Sequence, residues 1–409
     1  MEKVTEKFFL GRQPILNRHQ EIIGFELLFR SAEFNYAVFD SYSYVCASVI
    51  TSALANFGLE EVLGGKLGFI NVHLDLLLSD LVEVLPIKQT VLELLEFIKL
   101  DEQVIERCRE LKEMGFRLAL DDHEYSADNE KIYSIINIIK IDILQTGMDA
   151  LPGIMQELRR YPVKVLAEKV ETVEQFEACL KMGFDLFQGY FFQHPTVLNK
   201  KRIDASAMAM LKLLQQLTLD ASVLELEQTF KENPSLSYNL LRLVNSVGIG
   251  LREKIKTLRH AIVLLGINPL RRWIQLSLFA GNDSRGINHP LLEMAVVRGR
   301  MMETLVIQKG VQGDQAEAAF MTGILSLLDI LYEVPMSEIV QSLHVTDEIS
   351  DALLSRQGQL GLLLTLAEKV ETTDFESVTP LLSKCNVTLD QLLSAQLESF
   401  NWRSSVIAQ

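Results

Sequence analysis

The chain has 409 residues, 48% of them hydrophobic and 23% charged, which supplies material for two cores and excludes extensive disorder. A formal net charge of -15 at pH 7 excludes a broad nucleic-acid-binding surface. A small anionic ligand remains compatible with that charge wherever bound divalent cations reverse the local field.

In chain order, short apolar stretches alternate with segments of helical period from Phe8 to about Phe192. The predicted strands are Phe8 to Ile15, Ile23 to Phe29, Leu67 to Val72, Thr90 to Leu95, Arg117 to Asp121, Ile138 to Ile143, Val163 to Lys169 and Leu186 to Phe191. This pattern predicts βα repeats around a parallel sheet or barrel, and a count approaching eight favours an α/β TIM-like barrel. Strand signals fade after Pro195 and the basic turn Asn199 to Arg202. Segments of 3.6-residue period such as AMAMLKLLQQL and PSLSYNLLRLVNSV then take over, broken at Gly266 to Pro269, Gly281 to Gly286 and Asn288 to Pro290. Two domains are expected: a barrel over residues 1–200 and an all-α helical domain over 201–409.

The four cysteines, Cys46, Cys108, Cys179 and Cys385, form no CxxC pair. They read as buried thiols in a reducing compartment. The opening MEKVTEKFFLGRQP lacks the apolar core of a signal peptide, and no apolar run approaches the roughly 18 residues of a membrane span. The expectation is a cytoplasmic protein without membrane attachment.

The C-terminal ends of successive predicted strands carry Glu26, Asn71, Glu93, Asp121 with Asp122, Lys140, Glu168 and Gln188. A single carboxylate at a strand end is most often the solvated start of a loop or a helix cap. An ordered series is different, because strand ends of a barrel converge on one mouth, where active sites form. Asp, Glu and Asn offer hard oxygen ligands suited to Mg²⁺, Mn²⁺ or Ca²⁺. The adjacent Asp121 and Asp122 suit a metal pair, the arrangement that activates water for phosphodiester cleavage. Lys140 among these acids fits stabilisation of an attacking hydroxide or proton transfer. Taken alone, it would read as a structural lysine paired with a buried acid.

These residues resemble the EAL family of bacterial cyclic di-GMP phosphodiesterases over about the first 200 residues. The family triplet stands here as Glu26-Leu27-Leu28 within GFELLFR, with leucine in place of alanine. The resemblance implies Glu26, Asn71 in FINVH, Glu93 in LELLE and Asp121 as ligands of a first Mg²⁺ or Mn²⁺, and Asp122 with Glu168 in AEKVE as ligands of a second. It implies Lys140 in IKID as the catalytic lysine, alongside Glu26, Asp121 and Asp122 in the catalytic set. Arg30 is implied to contact a substrate phosphate, Gln13 in RQPIL to lie near the guanine, Gln188 in QGY to close the substrate site, and Glu96 to steady the catalytic loop. Two departures bear on turnover. His123, Glu124, Tyr125, Ser126 and Ala127 follow the Asp pair where the family continues with Phe and a Gly-containing turn. Lys169 replaces the glycine after Glu168. The altered loop is also implied to organise a dimer contact, so a homodimer is an expectation.

From about Ala205 the chain resembles the HDOD family through NPSLSYNLLRLVNSV, LRHAIVLLGINPLRRW and AFMTGILSLLDIL. HDOD domains are non-enzymatic relatives of HD-type metal phosphohydrolases. Where such an enzyme carries adjacent His-Asp, this chain has Ser326-Leu327, and His260, His289 and His344 are isolated. Lone histidines on such helices read as packing or capping groups. A module that contacts a protein partner is the reading that remains, by fold-level analogy. Two functions therefore stand side by side: an enzyme that hydrolyses cyclic di-GMP to pGpG, and an inactive sensor or adaptor that relays ligand state by protein contacts.

Overall fold

Period-two alternation of inward and outward side chains closes eight strands into a barrel, ordered around the ring as they are in sequence. The computed structural model describes residues 8–31, 62–191, 205–246, 257–280, 290–332 and 334–407. The strands are β1 (Phe8–Asn17), β2 (Ile22–Ser31), β3 (Leu67–Val72), β4 (Thr90–Leu94), β5 (Arg117–Leu120), β6 (Ile138–Asp142), β7 (Lys164–Glu168) and β8 (Leu186–Gln188). All eight expected strands are present. One departs from the expected parallel arrangement: β1 runs antiparallel to both β2 and β8, while neighbours from β2 to β8 are parallel. The cause is the short connection Arg18 to Glu21, because a parallel crossover needs a dozen or more residues. Asn17 fixes this turn, its Oδ1 accepting from the backbone N–H of His19 at 2.8 Å and of Glu21 at 3.0 Å. At the other end of the domain β8 stops at Gln188, because Gly189 turns the chain at φ 145°. A Cβ there would meet the Val170 carbonyl oxygen at 2.1 Å, so the turn admits only glycine.

The barrel interior is layered. Ile15, Phe69, Val91, Ala119, Ile138, Leu166 and Leu186 form one buried apolar cluster. On β2 the matching place belongs to Gly24, where a Cβ would sit 2.8 Å from the Leu67 carbonyl oxygen. Two residues further along each parallel strand, the next inward layer therefore consists of Glu26, Asn71, Glu93, Asp121, Lys140, Glu168 and Gln188. Because β1 runs the opposite way, its contribution to that layer is Gln13, two residues before Ile15. Register alone thus assembles the polar groups at one mouth.

Residues 1–194 and 366–409 form one compact unit, and residues 195–365 a second. The helical domain expected over 201–409 therefore gives up its last 44 residues to the barrel's unit, held there by aromatic contacts of Phe375 and Phe400 with β1. The second unit is helical among its described residues. Its helices Pro290–Gln308 and Asp314–Leu325 cross with backbones nearly touching, since a Cβ on Gly323 would lie 2.6 Å from Gly299 Cα. Ser326 and Leu327 are both buried there, and Ser326 Oγ donates to the Gly323 carbonyl and accepts from Arg298, each at 2.7 Å. His260 and His344 are exposed. Burial pushes the thiol of Cys108 up to about 12 and that of Cys179 to about 11, leaving both unreactive. Cys46, His289 and the turn Asn199 to Arg202 lie outside the described residues. Among the described residues no helix is long and apolar enough to cross a membrane.

Candidate functional site

Lys140 is the centre of the mouth. Its Nζ lies 2.6 Å from Asp121 Oδ1, 3.0 Å from Glu93 Oε1, 3.0 Å from Glu168 Oε1 and 3.3 Å from Glu26 Oε2, with the side chain 1% exposed. Around that core, Asn71 Nδ2 donates to Glu26 Oε1 at 3.2 Å and Gln188 Nε2 to Glu26 Oε2 at 2.6 Å. Gln188 Nε2 also lies 2.8 Å from Gln13 Oε1. The structure thus gathers Gln13, Glu26, Asn71, Glu93, Asp121, Lys140, Glu168 and Gln188 into one network, with Asp122 beside it. Arg30 lies farther out on β2 and pairs with Glu376 at 3.2 Å.

One ammonium cannot neutralise four carboxylates, and the acids divide accordingly. Burial raises Glu93, and Glu26, Asp121 and Glu168 push the same way, so its carboxyl stands well above the ordinary range despite Lys140. Glu168 rises to about 8, through burial that Lys140 opposes and Asp121 and Glu26 reinforce. Asp121 is also raised, first by burial. Glu26 goes the other way: burial is outweighed by the Lys140 charge and by hydrogen bonds from Gln188, Asn71 and Lys140. Burial acts against the charge of Lys140, yet four acids hold its pKa well above the ordinary value. At neutral pH the network holds a charged lysine, an ionised Glu26 and a proton on Glu168, with Glu93 displaced in the same direction as Glu168.

The oxygens that remain are those a hard cation takes. Asn71 Oδ1, both Glu93 oxygens, Asp122 Oδ1 and Glu168 Oε2 are buried without a hydrogen-bond partner; Glu93 Oε1 is within ion-pair distance of Lys140 but off the hydrogen-bond direction. Such orphaned acceptors are uncommon in native interiors and fit Mg²⁺, Mn²⁺ or Ca²⁺ by donor chemistry. Among the described residues no three His, Cys, Asp or Glu groups already surround a common point at metal-ligand spacing, since the carboxylates lean on Lys140 instead. Metal binding there requires the acids to turn from the ammonium.

The two positions that depart from the family pattern have physical consequences. Lys169 adopts φ 54°, a left-handed backbone that glycine takes freely and lysine only at about 1 kcal/mol. Its ammonium pairs with Asp142, whose Oδ1 also accepts from Leu144 N at 2.8 Å and Gln145 N at 3.0 Å. Asp122 is left-handed too, at φ 39°. Beyond it, the loop is built on Tyr133 rather than on a glycine turn. The Tyr133 hydroxyl donates to Ser126 O at 3.0 Å, accepts from Ser126 N at 3.0 Å and lies 2.8 Å from His123 Nε2. With its single proton committed to Ser126, the hydroxyl must accept from His123, which fixes the proton on Nε2. Glu96, expected to steady this loop, is exposed after β4, and none of the loop's described contacts involves it. Tyr133 belongs to no motif and was not legible as a site residue; Tyr190, whose hydroxyl accepts from Gln13 Nε2 at 3.3 Å, closes the QGY motif but was not singled out there.

Burial lowers the pKa of His123 to about 4. The imidazole is therefore neutral when folded while its unfolded counterpart protonates near 6.5. Stability from this group is full above pH 6.5 and is lost as pH falls toward 4, by up to about 3 kcal/mol. We expect His123→Gln to narrow the difference between urea midpoints at pH 7 and pH 4; an unchanged difference would show that the ring is already charged in the native loop.

Comparison with known proteins follows the same division of the chain. The family model for the EAL domain matches residues 73–195, and that for the HDOD domain matches residues 203–342. YuxH, an uncharacterized protein of Bacillus subtilis strain 168, is 32% identical over 407 residues, covering 97% of this chain and 98% of YuxH. CdgJ of Vibrio cholerae, named a cyclic di-GMP phosphodiesterase, is 29% identical over 407 residues, covering 97% and 93%. The EAL domain protein of Listeria monocytogenes EGD-e, a solved structure, is 23% identical with a TM-score of 0.37, over 46% of this chain and 87% of that one.

Proposed function

Since the chain belongs to the family of proteins that join an EAL domain to an HDOD domain, we propose that its barrel binds cyclic di-GMP and hydrolyses one phosphodiester bond to give linear pGpG. The observation that carries this reading is the buried Lys140 amid four carboxylates, ringed by orphaned oxygens of hard-ligand type.

Glu26, Asn71, Glu93 and Asp121 would hold a first Mg²⁺ or Mn²⁺, and Asp122 with Glu168 a second. Bound there, such ions supply Lewis acidity and lower the pKa of water. Lys140 keeps positive charge beside the attacking oxygen, and its four acidic neighbours keep it protonated. Gln13 offers its carboxamide to the guanine edge, Arg30 its guanidinium to a phosphate, and Gln188 ties Gln13 to Glu26. The HDOD unit serves as a partner-contact module, in keeping with the buried Ser326 and Leu327 at the place of His-Asp. A ligand-binding sensor without turnover is the second reading, favoured by the Tyr133-built loop beyond Asp122.

The test incubates the purified full-length chain with cyclic di-GMP and Mg²⁺ or Mn²⁺ and resolves the products by chromatography. Accumulation of pGpG is expected. Intact nucleotide together with calorimetric binding selects the sensor, and absence of both turnover and binding overturns the reading.

A further inference from the structure

The first unit contains a stretch that neither family model covers. Residues 366–409 lie beyond the HDOD match ending at residue 342, and they group with the barrel. Their contacts concentrate on β1, which pairs with β8 only over Ile15–Asn17 and so leaves its first half with one sheet neighbour. An edge of that kind needs cover. Phe375 stacks on Phe9 with ring centroids 5.2 Å apart, and Gln396 Nε2 donates to the Leu10 carbonyl at 3.1 Å. The Arg12 guanidinium lies between two rings, 4.0 Å from the Phe25 centroid and 3.9 Å from that of Phe400.

This cover reaches the site through Thr373. Its backbone is left-handed at φ 55°, an unfavourable state for a β-branched residue. The strained turn sets the side chain against Gly11, where an added Cβ would lie 2.6 Å from Thr373 Cγ2. The hydroxyl donates to the Thr372 carbonyl at 2.7 Å, so its oxygen is available to accept from Gln13 Nε2 at 3.4 Å. Tyr190 takes the other Nε2 proton, and Gln188 donates to Gln13 Oε1 at 2.8 Å. Both Nε2 protons of Gln13 are thereby engaged, while Oε1, holding one hydrogen bond from Gln188, keeps a second lone pair for a ligand donor. A polar chain runs from Thr373 through Gln13 and Gln188 to Glu26.

We propose that Thr373 is a positioning residue for ligand recognition: the C-terminal segment orients the Gln13 carboxamide and is a working part of the barrel's nucleotide site. The inference rests on the proposed function, which assigns Gln13 to the ligand. Glu376 on Arg30 belongs to the same cover, but at 69% exposure its ion pair is weak and carries little of the effect.

The experiment uses the full-length chain with cyclic di-GMP and Mg²⁺. Thr373→Val preserves shape and removes the acceptor; because the hydrogen bond is long, KM is expected to rise about fivefold with kcat within about twofold. Thr373→Ser should restore KM. Thr373→Gly relieves the backbone, so it should hold or raise the melting temperature while weakening the ligand as the valine variant does. Parent-like KM in the valine and glycine variants would overturn the proposal. Should the parent neither bind nor turn over cyclic di-GMP, the functional reading fails, and the Gln13 carboxamide resonance in ¹⁵N-glutamine-labelled protein decides the inference separately. A shift on Thr373→Val upholds the positioning contact, and an unmoved resonance refutes it.

Discussion

Replacing Lys140 with alanine is expected to lower hydrolysis of cyclic di-GMP by about 10² to 10⁴-fold, the range for loss of a positioned proton-transfer or charge-stabilising group. The same change should destabilise the metal-free protein. Lys140 is the ammonium that Glu26, Glu93, Asp121 and Glu168 share, and removing one partner from a buried ionic cluster costs about 3–5 kcal/mol. Protonation of the acids offsets part of that cost, and the sign follows from their direction. Carboxyls whose folded pKa is raised contribute stability that is fully present below the unfolded value and is lost as pH rises through the folded value. In the parent this loss runs from about 4.5 to about 8 for Glu168. Without Lys140 the remaining acids are driven higher still, so the variant should lose stability more steeply between pH 5 and pH 8. Mg²⁺ or Mn²⁺ should return much of it by supplying the missing positive charge. Urea titrations at pH 5 and pH 8, with chelator and with metal, measure all of this. A chelated variant as stable as the parent at pH 8 would remove Lys140 from its central place.

The parts of the site legible in the sequence were those that a strand's period of two reports. An apolar residue followed two places later by Asn71, Glu93, Asp121, Lys140, Glu168 or Gln188 recurs on six strands, and each pair must face the same side. The direction of β1 was encoded in the brevity of Arg18 to Glu21, a constraint on topology rather than on hydropathy. That reversal is also what carries Gln13 into the polar layer. Other features left no local mark. Tyr133 sits in an ordinary helical segment, and its role arises only where the chain folds back on Ser126 and His123. Thr373 and Phe400 lie more than 350 residues from the strand they cover, so no window along the chain could pair them with it. The sharing of one ammonium by four acids was hidden for a related reason: sequence order shows which groups converge, not which of them takes the centre.

The double change Glu93→Ala with Asp121→Ala is expected to lower affinity for Mg²⁺ or Mn²⁺ by more than about 100-fold, since two of the four ligands proposed for the first site disappear at once. Misfolding is a poor alternative explanation here. Glu93 and Asp121 are both raised by burial and by acidic neighbours, so their ionisation opposes folding, and their removal leaves Lys140 paired with Glu26 and Glu168. Loss of repulsion offsets part of the cavity cost. The parent should show a matching pH dependence. Metal must displace the proton held by Glu168, so binding releases protons and tightens with rising pH until Glu168 is ionised near 8. Calorimetry in two buffers of different ionisation enthalpy counts those protons, and circular dichroism confirms that the variant is folded. Parent-like metal affinity in a folded double variant would place the cation elsewhere, and affinity flat between pH 6 and pH 8 would show that the acids were ionised before metal arrived.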